Sequence, residues 1–280
     1  MSIYGTQAGN NRPIMKVKFY NKYPTDIDID TEINVEVYVD EFNMSEVPKG
    51  HIRIVVLEEP SINKVFHLAR KHTGCYTHLL TYQDELLRTN PKASLFRGAD
   101  IWLKGYTPPY KKFCVSTVIG GKRDPSMSGY ALRHDLWHSQ GRITAPKEFY
   151  LSSQYKFDGA DYHNSFILGD SKEPLFNSMF HVAIENTPIK HYFSEKLLDC
   201  FQTHTVPIYC GCTNIYDYFD ISGIFVARNI NDIVNICNSL TPDIYKDMMP
   251  AMDNNFNLAQ PRSNYFKQLE NAIIQIIKNA

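Results

Sequence analysis

The stretch Phe180–Phe219, FHVAIENTPIKHYFSEKLLDCFQTHTVPIYCGCTNIYDYF, decides how the chain folds. Its apolar run Phe180–Ile184 is short and closed by Glu185-Asn186, which predicts a buried strand. Ser194 is placed to cap a helix that carries Leu197, Leu198 and Phe201 on one face. Val206-Pro207-Ile208-Tyr209 predicts a second strand, ended by Gly211. Two strands bridged by a helix form a βαβ unit, and such units bind ligands beyond the carboxyl ends of their strands.

The chemistry of this unit lies in its loop and first helical turn. Lys196 stands two residues into the helix, at the positive end of the helix dipole, where a lone cation is disfavoured. Glu195 offsets part of that charge. A bound anion such as a diphosphate, held by helix N–H groups and the Lys196 ammonium, reverses the sign of the penalty. The plain alternative is a solvated Glu-Lys pair on an exposed turn.

The wording around this turn favours the anion. Glu185-Asn186, Tyr192, Ser194-Glu195-Lys196, Val206-Pro207-Ile208-Tyr209 and Gly211 together resemble the signature of the α1,3/4-fucosyltransferase family. That signature is a Glu-Asn pair, a Tyr-x-(Thr/Ser)-Glu-Lys step and a Val/Ile-Pro-Ile/Val strand ending in glycine. Bacterial members share "SEKLLDCFQTHTVPIYCG" almost position for position, and the whole reads as a soluble bacterial or viral-like member. The resemblance implies an α/β protein of two Rossmann-like domains facing a cleft, the GT-B architecture. It also implies a GDP-fucose donor, a glycan acceptor and inversion at the anomeric carbon. The amino-terminal half departs furthest from the family.

Composition sets the outer limits. The chain has 280 residues, 43% of them hydrophobic, enough for one large or two medium domains. With 29 basic against 30 acidic residues, and the basic ones scattered, no nucleic-acid surface is predicted. No apolar run approaches the length of a membrane span and the first residues lack a signal-peptide core. A cytoplasmic protein with no integral membrane segment is expected. The six cysteines sit mostly in apolar stretches and are read as buried free thiols. His134 and His138 stand four apart on an expected helix, but without a third ligand a structural role is favoured, and no metal site is assigned.

Working outward, Met15–Phe19, Ile33–Val39 and His51–Leu57 read as strands, with Val35, Val37 and Val39 on one face. Asn63–Arg70 reads as a helix, Thr77–Leu80 as a strand and "TYQDELLRTNP" as a short helix, so strands alternate with helices and a mostly parallel sheet follows. Thr107-Pro108-Pro109 is the boundary candidate. It divides the chain into an acceptor-side domain, 1–108, and a nucleotide-sugar domain, 109–280, whose last helix is free to pack back on the first. Phe113–Ile119 is a fresh strand followed by Gly120-Gly121-Lys122-Arg123, a turn able to approach a phosphate. Tyr130–His138 reads as a helix bearing Arg133. Residues 141–170 show no period and are read as loops or short strands, and Lys172–Met179 as a short helix. Beyond the central unit, Asn231 is expected to cap a helix to Leu240, Thr241-Pro242 to begin another, and Ser263 to start the last.

The resemblance assigns roles to residues. Arg133, in "YALRHDL", stands where the family's arginine contacts the donor diphosphate, and Lys196 is its partner. Glu195 is placed to reach ribose hydroxyls. Glu185, Asn186, Tyr192 and Ser194 join the donor-binding set, with Glu185 and Tyr192 lining the donor sugar or base. Protein cations carry the diphosphate charge, so neither metal nor cofactor is implied. An inverting transfer needs one carboxylate to take the acceptor proton. In "VVLEEPSI", Glu58 stands at the end of the third strand and Glu59 is a close second. Two other readings stay open: a non-catalytic nucleotide- or carbohydrate-binding relative, and a transferase of the same fold using another nucleotide-sugar.

Overall fold

The computed structural model describes residues 15–21, 27, 29–59, 64–153 and 166–280. Two compact units emerge. The first holds the described residues through Thr81 together with Glu85–Phe96 and Phe266–Ala280; the second holds Tyr82–Asp84 and Arg97–Tyr265.

The first unit begins with β1 (Met15–Lys16), β2 (Lys18–Tyr20), β3 (Asp30–Thr31), β4 (Asn34–Val39) and β5 (His51–Leu57). Then follow α1 (Lys64–Lys71), β6 (His78–Thr81), α2 (Asp84–Thr89) and β7 (Ala93–Leu95). Strands β2-β4-β5-β6-β7 make a five-stranded sheet in which every pairing is parallel. Val35, Val37 and Val39 are all buried, and so is every residue of β5 from Ile52 to Leu57. A strand buried on both faces is what a covered parallel sheet requires. Arg53 is tolerated there because its guanidinium pairs with Glu36 at 2.9 Å and donates to the carbonyls of Ser45 and Cys75.

The second unit carries β8 (Lys112–Ile119), α3 (Ser128–Ser139), β9 (Lys147–Ser152), β10 (Phe166–Leu168), β11 (Ser178–Ile184), α4 (Glu195–Gln202), β12 (Val206–Cys210) and β13 (Phe225–Val226). It continues with α5 (Ile230–Ser239) and α6 (Pro242–Ala259), and α7 (Tyr265–Lys278) runs on into residues counted with the first unit. Its sheet has the order β10-β9-β8-β11-β12-β13, again parallel throughout. The chain builds from β8 outward in one direction, then returns to β11 and builds in the other. The gap between the carboxyl ends of β8 and β11 is therefore the topological switch point, where open α/β sheets bind ligands. Phe180, Val182, Val206 and Ile208 pack with Leu197, Leu198 and Phe201 to fill the core under it.

Several expectations shift by a few residues. Apart from Tyr82–Asp84, the second unit begins at Arg97, and within it the buried Asp199 carboxylate accepts the N–H groups of Trp102 at 2.8 Å and Leu103 at 3.2 Å. Asn229, not Asn231, caps α5: its side chain accepts the Asp232 N–H at 3.0 Å. Ser263 ends a 3-10 turn, and α7 starts at Tyr265. Residues 173–177 form a 3-10 turn rather than a longer helix. Asn63, Pro60 and the amino-terminal segment 1–14 fall outside the described residues. No helix among the described residues is long and apolar enough to cross a membrane.

Candidate functional site

A cavity of about 470 Å³ opens at the switch point of the second sheet. Thr117, Val118 and Gly120 from the end of β8 form one wall, and His181–Ile184 and Asn186 from β11 form the next. Arg133 of α3 and Glu195-Lys196 of α4 bring charge to it, joined by Lys122 and Lys172. The volume lies in the range of small-molecule sites.

The α4 turn is built from its own sequence. Ser194 has extended backbone and its hydroxyl accepts the Lys196 N–H at 3.4 Å, as a cap does. The Lys196 ammonium donates to Ser194 Oγ at 3.1 Å and to Glu195 Oε1 at 2.9 Å. Lys172 donates to the same Glu195 oxygen at 3.4 Å while its ammonium rests 3.7 Å from the centre of the Trp102 ring. Burial alone would raise the Glu195 pKa, but the Lys196 and Lys172 charges and the hydrogen bonds outweigh it and hold the carboxyl at about 2. Burial pulls the Lys172 ammonium down from its ordinary value, against the opposing pull of Glu195. Lys172 and Lys196 both meet the Glu195 carboxylate, and Lys196 also lies 3.9 Å from Glu185.

Arg133 adds a third cation in a fixed posture. Its Nε donates to the Ile184 carbonyl at 3.1 Å, and one terminal nitrogen donates to that carbonyl and, at 2.9 Å, to Asn186 Oδ1. Its guanidinium lies 5.1 Å from the Tyr130 ring centre, and the Lys122 ammonium lies 5.4 Å from the same ring. The helix can come this close only because residue 129 is glycine: a Cβ there would overlap the Glu185 carbonyl oxygen.

Glu185 stands one step behind the cavity. Its side chain has no exposed surface, and its carboxylate accepts the Ser194 N–H at 2.8 Å and the Ser194 hydroxyl at 2.6 Å. Burial raises its pKa, while Lys196 pulls the other way from 3.9 Å. The enclosed Glu185 carboxylate supports the cap of α4 through Ser194. Gly211 follows from the same packing, since a Cβ there would meet the Tyr209 hydroxyl and Glu185 Cγ. Tyr192 is half-buried with its ring 5.3 Å from that of Tyr82, and neither Tyr192 nor Ser194 lines the cavity.

His181 lines the cavity from β11 with Nδ1 2.8 Å from Ser116 Oγ, and burial takes its pKa down to about 3, so it is neutral. Trp102, Lys172 and His181 were not marked as site residues by sequence spacing. Trp102 and Lys172 stand in loops that give no local signal, His181 is one polar residue within the apolar run of β11, and the fold alone gathers them.

Glu58 and Glu59 belong to the first unit, at the end of β5. Their backbone N–H groups donate to one oxygen of Asp40, at 3.0 and 3.3 Å. Glu58 is half-buried and Glu59 exposed. Among the described residues no group of three or more His, Cys, Asp or Glu side chains is arranged to hold a metal ion. The sequence does carry an alternating run Asp26-Ile27-Asp28-Ile29-Asp30; Asp30 pairs with Lys16 at 2.7 Å, and Asp26 and Asp28 lie outside the described residues. All six cysteines are buried and unpaired.

No protein-family model matches the chain, and no curated protein matches it either. Solved structures do. A crystal structure of an α1,3-fucosyltransferase with GDP-fucose superposes with a TM-score of 0.54 at 14% identity, over 99% of this chain and 94% of that one. The same enzyme type with GDP gives 0.53 at 13% identity, over 100% and 94%. A GtfA/B complex gives 0.54 at 9% identity, over 87% of this chain and 57% of that one. The chain has the GT-B fold, with two parallel-stranded α/β units, as those α1,3-fucosyltransferase structures do.

Proposed function

We propose that the protein is a nucleotide-sugar-dependent glycosyltransferase that transfers fucose from GDP-fucose to a glycan hydroxyl with inversion. The observation that carries this reading is the cationic turn at the amino end of α4, set in a cavity at the switch point of the second sheet. In this reading the diphosphate lies against Lys196, Arg133 and the α4 N–H groups, and Asn186 holds the Arg133 fork in place. Glu195 meets the ribose hydroxyls, and Glu185 fixes the turn through Ser194. As the sugar leaves, negative charge grows on the nucleotide, and cations already in position stabilise it without reorganising. These groups supply the charge that a divalent ion supplies elsewhere, so transfer is expected to survive excess chelator. Full loss on chelation, restored by magnesium or manganese, would show that a metal is needed.

Inversion requires a base on the acceptor. Glu58 is the first candidate and Glu59 the second, their backbone held by β5 and Asp40. Glu58→Gln keeps size while deleting basicity and is expected to slow transfer about a hundred- to ten-thousandfold, with little change in GDP affinity. If Glu59→Gln gives that loss instead, the base is Glu59; if neither does, this assignment is wrong. The direct test of the whole reading is calorimetric titration with GDP and GDP-fucose, followed by transfer assays over a panel of sugar donors. Binding of GDP without transfer from any donor favours a non-catalytic relative. Transfer from another GDP-sugar moves the donor assignment and leaves the fold reading intact.

A further inference from the structure

Asp170 differs from every other charged residue in the cavity. The cations there are Lys122, Arg133, Lys172 and Lys196, and Glu195 is already paired with two of them. Asp170 is exposed on the cavity wall. Among the described residues its carboxylate makes neither a hydrogen bond nor an ion pair, though cations line the same space. Among the described residues it is a spare acceptor on the cavity wall.

Its position in the fold says which part of a ligand it meets. Leu168 ends β10, the outermost strand of the sheet, three strand steps from β11. Three steps are about 14 Å. By Lys172 the chain has come back to Glu195, so Asp170 lies on the path between the sheet's outer edge and the cationic turn. With phosphates at Lys196 and Arg133 and ribose at Glu195, a base extends toward this side. Trp102 stands here too, 61% exposed, with one ring face covered by Lys172. An aromatic face of this kind stacks any base and does not tell them apart.

Discrimination then falls to Asp170. A carboxylate offers two acceptor oxygens and no donor. Guanine presents two neighbouring donors, N1–H and the N2 amino group, that fit those oxygens together. Adenine presents an acceptor at N1, and uracil and cytosine each place a carbonyl where a second donor is needed. We propose that Asp170 reads the N1/N2 edge of guanine and makes the site selective for guanosine diphosphate, with Trp102 as an unselective stacking wall. This rests on the cavity being a nucleoside-diphosphate site.

The test compares GDP, inosine diphosphate and xanthosine diphosphate by calorimetry on the wild type, Asp170→Asn and Trp102→Ala. Inosine lacks the amino group, and xanthine replaces it with a carbonyl that repels a carboxylate. The wild type is expected to prefer GDP, with xanthosine diphosphate weaker by about ten- to a hundredfold. Asp170→Asn can donate to the xanthine carbonyl, so the preference is expected to reverse. Trp102→Ala is expected to weaken all three alike. Because Asp170 has no partner among the described residues, the asparagine variant should melt with the wild type, which separates loss of selectivity from loss of structure. An unchanged GDP-to-xanthosine ratio in Asp170→Asn overturns the assignment, and so does a wild type with no base preference. If GDP still binds and still depends on Lys196, the reading of the cavity stands without it; if the wild type binds no nucleoside diphosphate, both fall.

Discussion

Two lysines at opposite ends of the six-stranded sheet show how one residue type takes two fates. Lys111 precedes β8 at the amino ends of the strands, and its ammonium donates to the carbonyls of Phe176 at 2.7 Å and Ser178 at 3.4 Å and to Thr205 Oγ1 at 2.5 Å. Lys196 stands at the carboxyl ends, where it meets Ser194 and Glu195 and keeps 27% of its side chain exposed beside the cavity. Burial takes Lys111 down to about 7, whereas Lys196 lies 2.9 Å from the Glu195 carboxylate. A cation committed to backbone carbonyls ties strands together. A cation at the start of a helix, where the dipole opposes it, is placed for an anion that comes and goes.

The largest expected effect separates the two by ligand. Lys196→Met should weaken GDP about ten- to a hundredfold, as loss of a charge-assisted contact of roughly 1.5–3 kcal/mol implies. Lys111→Met should leave GDP affinity untouched. Titration of both variants decides it, and equal losses would erase the distinction.

Next in size is stability. Lys111→Met removes the donor from two carbonyls and a hydroxyl, at a cost of about 1–3 kcal/mol, read as a lower midpoint in urea. The pH profile carries a sign as well. The folded pKa of Lys111 lies below its ordinary value near 10.5, so between about 7 and 10.5 the unfolded chain holds the extra proton. Wild-type stability from this group therefore rises with pH across that window, and the rise should disappear in Lys111→Met.

The smallest effect is a change of slope at Asp199, on the same helix as Lys196. Burial raises its carboxyl to about 6, against the pull of Lys172 and the Trp102 and Leu103 N–H groups. Its contribution is present below the ordinary carboxyl value near 4 and is lost as pH rises through 6. Asp199→Asn keeps an acceptor for both N–H groups, so melting curves from pH 4 to 6 should flatten relative to wild type. A parallel pair of curves would mean that Asp199 is charged throughout.

How much of this was legible follows from where the signals lie. The Phe180–Phe219 stretch announces itself because a strand, a Ser cap and an amphipathic helix are all local patterns, and β11, α4 and β12 form within it. Asn186, Glu195, Lys196 and Arg133 come to one cavity, with Arg133 reaching Ile184 across 51 positions. Lys172 and Trp102 were invisible because their meeting depends on strand order and on Asp199 gripping a loop 96 or 97 positions away. Glu185 was visible as a residue but not as a direction. A carboxylate just past a strand looks the same in sequence whether it faces a ligand or a hydroxyl behind it. The same limit applies to the cap of α5, where Asn229 and Asn231 are chemically alike and only the backbone chooses.

Gly129 has a consequence for how the site is tuned. Its N–H donates to the Asn186 carbonyl at 3.0 Å, a Cβ there would overlap the Glu185 carbonyl oxygen, and Arg133 follows four positions along α3, about one helical turn. The helix thus bears directly on the end of the strand, like a gauge block against a stop. One methyl group at position 129 would act as a wedge, lifting the guanidinium from the Ile184 carbonyl while leaving every charged residue in place. The reach of the arginine is calibrated by a side chain that is not there.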